Sequence, residues 1–451
     1  MALSDRLGRY ICSQTYENLP EKVKSIAISC VYNYMGCVYS GSIQPPPVKM
    51  LRMLESYFPA GKCHVLGTDR KADPATAALI NGTSANSMGF DDMYKDGIYH
   101  PGIPAITGAL TIADIVPVTG KEFITAVVLG YEIANRIART CNPSHYKYWH
   151  TAATVGSFGS AASAAKALKL TLEETIFALG IAGTKAAGLQ ECNGNMAQRF
   201  HLGTASANGV LAALMAKSGV NGPRNILDGP AGFFAAMSKF DGDVVTAFED
   251  LGDQYTILDT TFKFYPCCGH IHACIDAAID VMETNALSCQ DIKKVKVGTY
   301  KTAIVNSGNP APQDVLQAKF SIAYCVAAGM LHKQVTVSEF ANWPPSSAIT
   351  ELMKKIELSV DPVCEENFFA GKRGGVVTVH TTQGTFTATH YSRKGDPDCP
   401  LSRQDIVNKF RELAEMVISA DGVRELGSYI EQLPELMDVS VLAKSYGKVA
   451  P

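Results

Sequence analysis

No apolar run in this chain approaches the length of about 18 residues needed to span a bilayer, so no membrane-spanning helix is expected. Net charge is also close to absent. With 40 Lys and Arg against 43 Asp and Glu, the balance of −3 supplies no long-range field to gather nucleic acid or an anionic membrane. There is no internal repeat, low-complexity tract or long linker. The opening residues, Met1 to Arg6, lack the basic start and apolar stretch of a signal peptide. Cysteine is plentiful, but a count of 13 is odd, and the long chain shows no disulfide framework. Reduced thiols in a cytoplasmic setting are therefore expected, and the Asn81-Gly82-Thr83 sequon is a chance match.

What the chain does have is size and apolar content. At 451 residues it exceeds what one core serves, so two domains are the default. A hydrophobic fraction of 47% against 18% charged residues describes a globular protein with a large interior. The first 260 or so residues follow helical periodicity. Val23, Ile26, Ala27, Cys30 and Tyr34 trail Pro20, and Phe123, Val127, Tyr131, Ala134 and Ile137 share a stripe over 121–139. Thr171 and Glu174 form a capping-box signature. Segments 154–168 and 204–217, dense in Ala, Gly and Ser, belong at the centre of a bundle, where small side chains let helices approach.

After Pro266 the pattern changes. A helix is expected over 268–284, a strand over Ile292–Gly298, and a hairpin from Gly375–His380 and Thr385–Thr389 turning at Gln383-Gly384. Helix returns after Ser402. The expectation is a mostly α protein: a large all-helical domain built from both chain ends (1–264 and 398–451) and a smaller inserted α+β domain (265–397).

The loop Gly89–Gly102 is the densest in chemistry, with Asp91, Asp92, Met93, Tyr94, Lys95, Tyr99 and His100. Loops on rigid scaffolds are where such groups serve function. A diphosphate-binding reading of Asp91-Asp92 fails, because Asp96 falls one position late for DDxxD and no second metal box follows. The Cys267-Cys268-Gly269-His270-Ile271-His272 cluster lacks the second ligand pair of a structural zinc site. No metal is expected. His150, beside Tyr146 and Tyr148, reads either as a helix-terminus residue or as part of a site. Lys263, among aromatics, is either a snorkelling surface lysine or a desolvated base. Tyr324 alone reads as core.

In chain order, these segments resemble the MmgE/PrpD family. The matching pieces are Phe90-Asp91-Asp92 with His100-Pro101-Gly102; Trp149-His150 before Gly156–Ala162; His201-Leu202-Gly203; Lys263–Cys267 with His272-Ala273; and Ala318–Ser321 with Tyr324. The resemblance implies a lid formed by the inserted domain, a homodimer, an active site at the domain junction, no cofactor and a small carboxylate substrate. It carries catalytic roles onto His100, His150 and Lys263, and substrate contacts onto Tyr324, Asp92, Met93, His272 and the Gln198-Arg199 pair. Three departures stand out. Gly89 and Met93 replace the aspartate and threonine of the decarboxylase and dehydratase members, and Gln198 replaces a lysine, with Arg199 beside it.

Removing a proton or a carboxylate next to a carboxylate builds charge on oxygen, so the site needs a tuned base and preorganised donors. Lys263 or His150 is the candidate base, and His100 the acid for a leaving hydroxyl. Epimerisation would pair Lys263 with a phenol, Tyr146 or Tyr148. The departures favour an isomerase or epimerase, with a decarboxylase or dehydratase as the alternative and an inactive dimeric scaffold as the outside reading.

Overall fold

A computed structural model describes residues 2–57, 60–192, 195–240, 242–341, 343–444 and 446. The chain is mostly helical and divides into two compact units, Met1–Thr261 with Ser402–Pro451, and Phe262–Leu401.

The larger unit is built around long buried helices. Glu21–Ser42, Gly102–Ala113, Gly120–Cys141, Thr151–Ala167 and Met196–Lys217 all carry mostly buried residues. Local signals set their ends. Thr119 with Glu122 and Thr171 with Glu174 form complete capping boxes, each satisfying two backbone N–H groups that a helix start leaves orphaned. The small-residue segments form the expected central helices. Where Met196–Lys217 crosses Pro74–Ser87, a Cβ on Gly203 would sit 2.1 Å from the Leu79 carbonyl oxygen, so only glycine permits that approach.

The C-terminal return packs helix Arg403–Ala414 against Glu21–Ser42. Ser402 and Asp405 cap it. Lys409 reaches inward from this helix and donates to Asn33 Oδ1 and to the Phe90 carbonyl oxygen, both at 2.7 Å. The chain's end thereby fixes the loop that carries Asp91 and His100.

The all-helical expectation for this unit needs a correction. Two short antiparallel pairs occur, β1 (Cys63–His64) with β2 (Lys71–Ala72), and β3 (Met93–Tyr94) with β4 (Thr260–Thr261). Pairs of two residues leave no periodicity for a sequence to display.

The smaller unit contains a four-stranded mixed sheet in the order β6-β5-β7-β8: β5 is Ile292–Thr299, β6 Ile356–Val360, β7 Gly375–Thr381 and β8 Thr385–His390. β5 runs parallel to β6 and antiparallel to β7, and β7 and β8 form the expected hairpin. Helix His272–Thr284 packs on β7, β8 and helix Ile322–His332. That first helix begins at His272 rather than 268, because the preceding residues form turns. Among the described residues, no helix is long and apolar enough to cross a membrane.

Candidate active site

Within the larger unit, four segments bring polar groups together in apolar surroundings. Helix Pro74–Ser87 contributes Asn86 near its end, and the following loop contributes Asp91, Asp92 and His100. His150 is the N-cap of Thr151–Ala167, and Arg199 and His201 lie on the first turns of Met196–Lys217.

The Nδ1 atom of His100 is 2.8 Å from Asp91 Oδ2 and 2.9 Å from the Asp92 carbonyl oxygen. Both partners are acceptors, so Nδ1 carries the proton and the reactive nitrogen is Nε2. Asn86 Nδ2 donates to Asp91 from 3.3 Å. The carbonyl and side-chain oxygens of Asn86 accept from Arg199 Nη1 at 3.4 and 3.5 Å. A carboxylate, an imidazole and a guanidinium are thus tied through one asparagine. A Cβ on Gly89, whose φ is +64°, would stand 3.7 Å from Arg199 Nη1.

Asp92 faces the other way. It is buried and accepts from the Tyr131 hydroxyl at 2.8 Å. Burial and the neighbouring Asp91 push its carboxyl up to about 6. Gly102 makes room for it, since a Cβ there would lie 2.4 Å from Asp92 Oδ1.

His150 is also buried. Its pKa falls to about 3, first through burial and then through His100, His201 and Arg199, so the ring is neutral at ordinary pH. Its backbone N–H donates to the Gly188 carbonyl at 2.9 Å, and its Nδ1 faces His201 Nδ1 at 3.0 Å.

The remaining expected residues are placed as follows. Gln198 is half-buried on the same helix as Arg199, and Met93 is half-buried in β3. Tyr146 is half-buried, whereas Tyr148 is 59% exposed with the Lys147 ammonium over its ring. In the smaller unit, Lys263 is buried, near enough to His272 and Cys267 to act on both. His272 opens its helix with Nε2 3.4 Å from the Cys267 carbonyl oxygen and its ring edge-on to Tyr265. Tyr324 is core-like: its hydroxyl donates to the Glu339 carbonyl, and its ring packs beside Phe340 and Trp343. Among the described residues, no group of three or more His, Cys, Asp or Glu is arranged to hold a metal ion.

The structure adds Asp91, Asn86, His201 and Cys192 to the residues expected at the site. Adjacent loop carboxylates point in different directions, and no periodicity tells which one meets the histidine. His201 carried a signal only through its place before Leu202-Gly203.

Comparison with known proteins gives this arrangement a context. Cis-aconitate decarboxylase of Aspergillus terreus is 24% identical over 454 residues, covering 94% of this chain and 92% of its own. The Homo sapiens cis-aconitate decarboxylase is 29% identical, covering 83% and 79%. The 2-methylcitrate dehydratase of Escherichia coli (strain K12) is 25% identical, covering 82% and 81%. Residues 5–243 match the MmgE/PrpD N-terminal domain and 265–433 the MmgE/PrpD C-terminal domain, so the chain belongs to the MmgE/PrpD family.

Proposed function

We propose that the chain is a lyase that breaks a bond next to a carboxylate of a small di- or tricarboxylate, with loss of carbon dioxide from a cis-aconitate-type acid as the first expectation. The observation that carries this reading is the joining of Arg199, the Asp91-braced His100 and an uncharged His150 in one cluster. The guanidinium supplies a fixed cation for a substrate carboxylate. When the carbon–carbon bond breaks, its electron pair spreads onto the remaining carboxylate, and donors already in place stabilise that charge. Carbon dioxide leaves, and a proton returns to carbon. The relatives named as decarboxylases and dehydratase favour bond cleavage over isomerisation.

Dehydration passes through a carbanion of the same kind. His100 Nε2 takes the carbon-bound proton and a second group protonates the departing hydroxyl. Isomerisation or epimerisation is the second reading, favoured by Gly89, Met93 and Gln198, where decarboxylase and dehydratase members differ. The family likeness adds Lys263 to the groups proposed for this chemistry.

The test is incubation of the full chain with cis-aconitate and 2-methylcitrate in deuterium oxide, followed by headspace carbon dioxide and proton NMR. Release of carbon dioxide with deuterium at one product carbon, or loss of water with no deuterium delivered to carbon, is expected. Exchange without loss of either would make the protein an isomerase, and an unchanged panel would leave it without this activity.

A further inference from the structure

A second histidine stands behind His150. The facing Nδ1 atoms are 3.0 Å apart, the rings are tilted by 38°, and both side chains are buried. The Cys192 sulfur is 3.6 Å from each ring nitrogen of His201. Cys192 is only half-buried, so the row runs from an enclosed imidazole towards solvent.

Two ring nitrogens at that distance hold one proton between them. Two N–H groups would collide, and two lone pairs would repel. Burial keeps both rings below the usual histidine range, so each neutral ring has a single N–H to place. Either His201 donates and His150 keeps its proton on Nε2, or His150 donates and presents a bare Nε2. The neighbouring thiol decides. Burial holds Cys192 protonated. A thiol donating to an imidazole lone pair is a better arrangement than an N–H directed at sulfur, a weak acceptor. His201 Nδ1 already shares a proton with His150, so Nε2 is the nitrogen left to accept from the thiol, which puts the His201 proton on Nδ1, aimed at His150.

We propose that Cys192 and His201 are positioning residues that hold His150 as an Nε2–H donor and resupply it with protons from solvent; this rests on the lyase reading above. The steps balance. The carbanion left by carbon dioxide takes the Nε2 proton of His150, forming one C–H bond where one C–C bond broke. His150 Nδ1 takes the His201 proton, His201 Nε2 takes the thiol proton, and the thiolate takes one from water. The hydroxide left combines with carbon dioxide as bicarbonate. The line resets when water in the emptied site protonates His150 Nε2, the row of protons shifts back, and the thiol releases one proton to solvent, which neutralises the hydroxide left in the site. No electrons change hands. His100, with its proton fixed on Nδ1, is the opposite partner, able to accept at Nε2.

The tautomer is read directly from ring-¹⁵N-histidine NMR of the full-length protein, and the line from kinetics on cis-aconitate. In the unsubstituted chain, His150 should show the Nε2–H pattern. Cys192→Ala should mix the His201 tautomers, and Cys192→Ser should restore them. His201→Asn should lower kcat by about 10²-fold, the scale of a lost proton-transfer group, with KM little changed and a larger solvent isotope effect. An Nδ1–H pattern at His150 overturns the proposal, as does His201→Asn with unaltered kcat and isotope effect. If His201→Asn does not fold, the Cys192 pair and the tautomer spectrum decide. An Nε2–H pattern with no turnover of cis-aconitate or 2-methylcitrate would instead remove the lyase reading and leave the tautomer assignment standing.

Discussion

Asp92 and His150 are buried within one cluster of segments, yet acid acts on them with opposite sign. Burial beside Asp91 raises the Asp92 carboxyl from 3.8 to about 6. The folded state therefore holds that proton more tightly than the unfolded chain. Its contribution is complete below about pH 4 and is lost as pH rises through 6. His150 falls from 6.5 to about 3, so its contribution is complete above 6.5 and is lost as pH drops towards 3. At 1.36 kcal/mol per unit, each effect amounts to about 3 kcal/mol, for Asp92 at pH 7.5 and for His150 at pH 4.5. Asp92→Asn should thus gain stability relative to the parent as pH rises from 4 to 7.5. His150→Asn should lose the parent's decline below pH 6. Denaturant titrations across that range test both, and curves parallel to the parent's would remove the corresponding group from the pH dependence. The sequence made both residues conspicuous as polar groups in apolar settings. It did not reveal their partners, because the Asp92–Tyr131, Asp91–His100 and His150–His201 contacts join residues from separate segments or from opposite sides of one loop.

At the scale of the element, two helical glycines separate space from propensity. A Cβ on Gly203 would meet the Leu79 carbonyl oxygen at 2.1 Å and Thr83 Oγ1 at 2.4 Å, and backbone cannot swing aside as a long side chain can. Gly427, in Ala420–Glu431, would meet nothing closer than Phe410 Cε1 at 3.6 Å. Gly203→Ala should therefore cost about 1–3 kcal/mol as overpacking. Gly427→Ala should add up to about 1 kcal/mol of helix propensity. Thermal unfolding of the two variants should shift in opposite directions, and a shared direction would show the crossing of Pro74–Ser87 with Met196–Lys217 to be looser than described. Such elements were legible where local chemistry dictates them. Capping boxes at Thr171 and Ser402 and the alternation around Gln383-Gly384 need no distant partner. β6 was not legible, because its parallel pairing with β5 depends on a neighbour far along the chain, and its burial does not alternate cleanly.

At the scale of the whole molecule, the smaller unit is one continuous stretch, whereas the larger is assembled from both ends of the chain. The core of the smaller unit is its own. Ile271, Ile275, Val281, Val295, Val297, Tyr300, Ile322, Val326, Val377 and Val379 form one buried cluster, drawn entirely from within 262–401. A stretch with its own core and a closed set of strand pairings has what independent folding requires. The fragment 262–401, expressed alone under reducing conditions to keep its thiols free, should show mixed helix and strand by circular dichroism and one cooperative melt. A gradual, non-sigmoidal melt would mean that this core depends on the rest of the chain. The larger unit makes the contrasting case. Lys409 in the C-terminal return holds the Phe90 carbonyl, so a chain ending at 401 loses the anchor of the loop bearing Asp91 and His100. Lys409→Met removes that anchor within the intact chain. It should lower turnover of the cluster's substrate, and an unchanged kcat would show that the loop bearing Asp91 and His100 holds without this anchor.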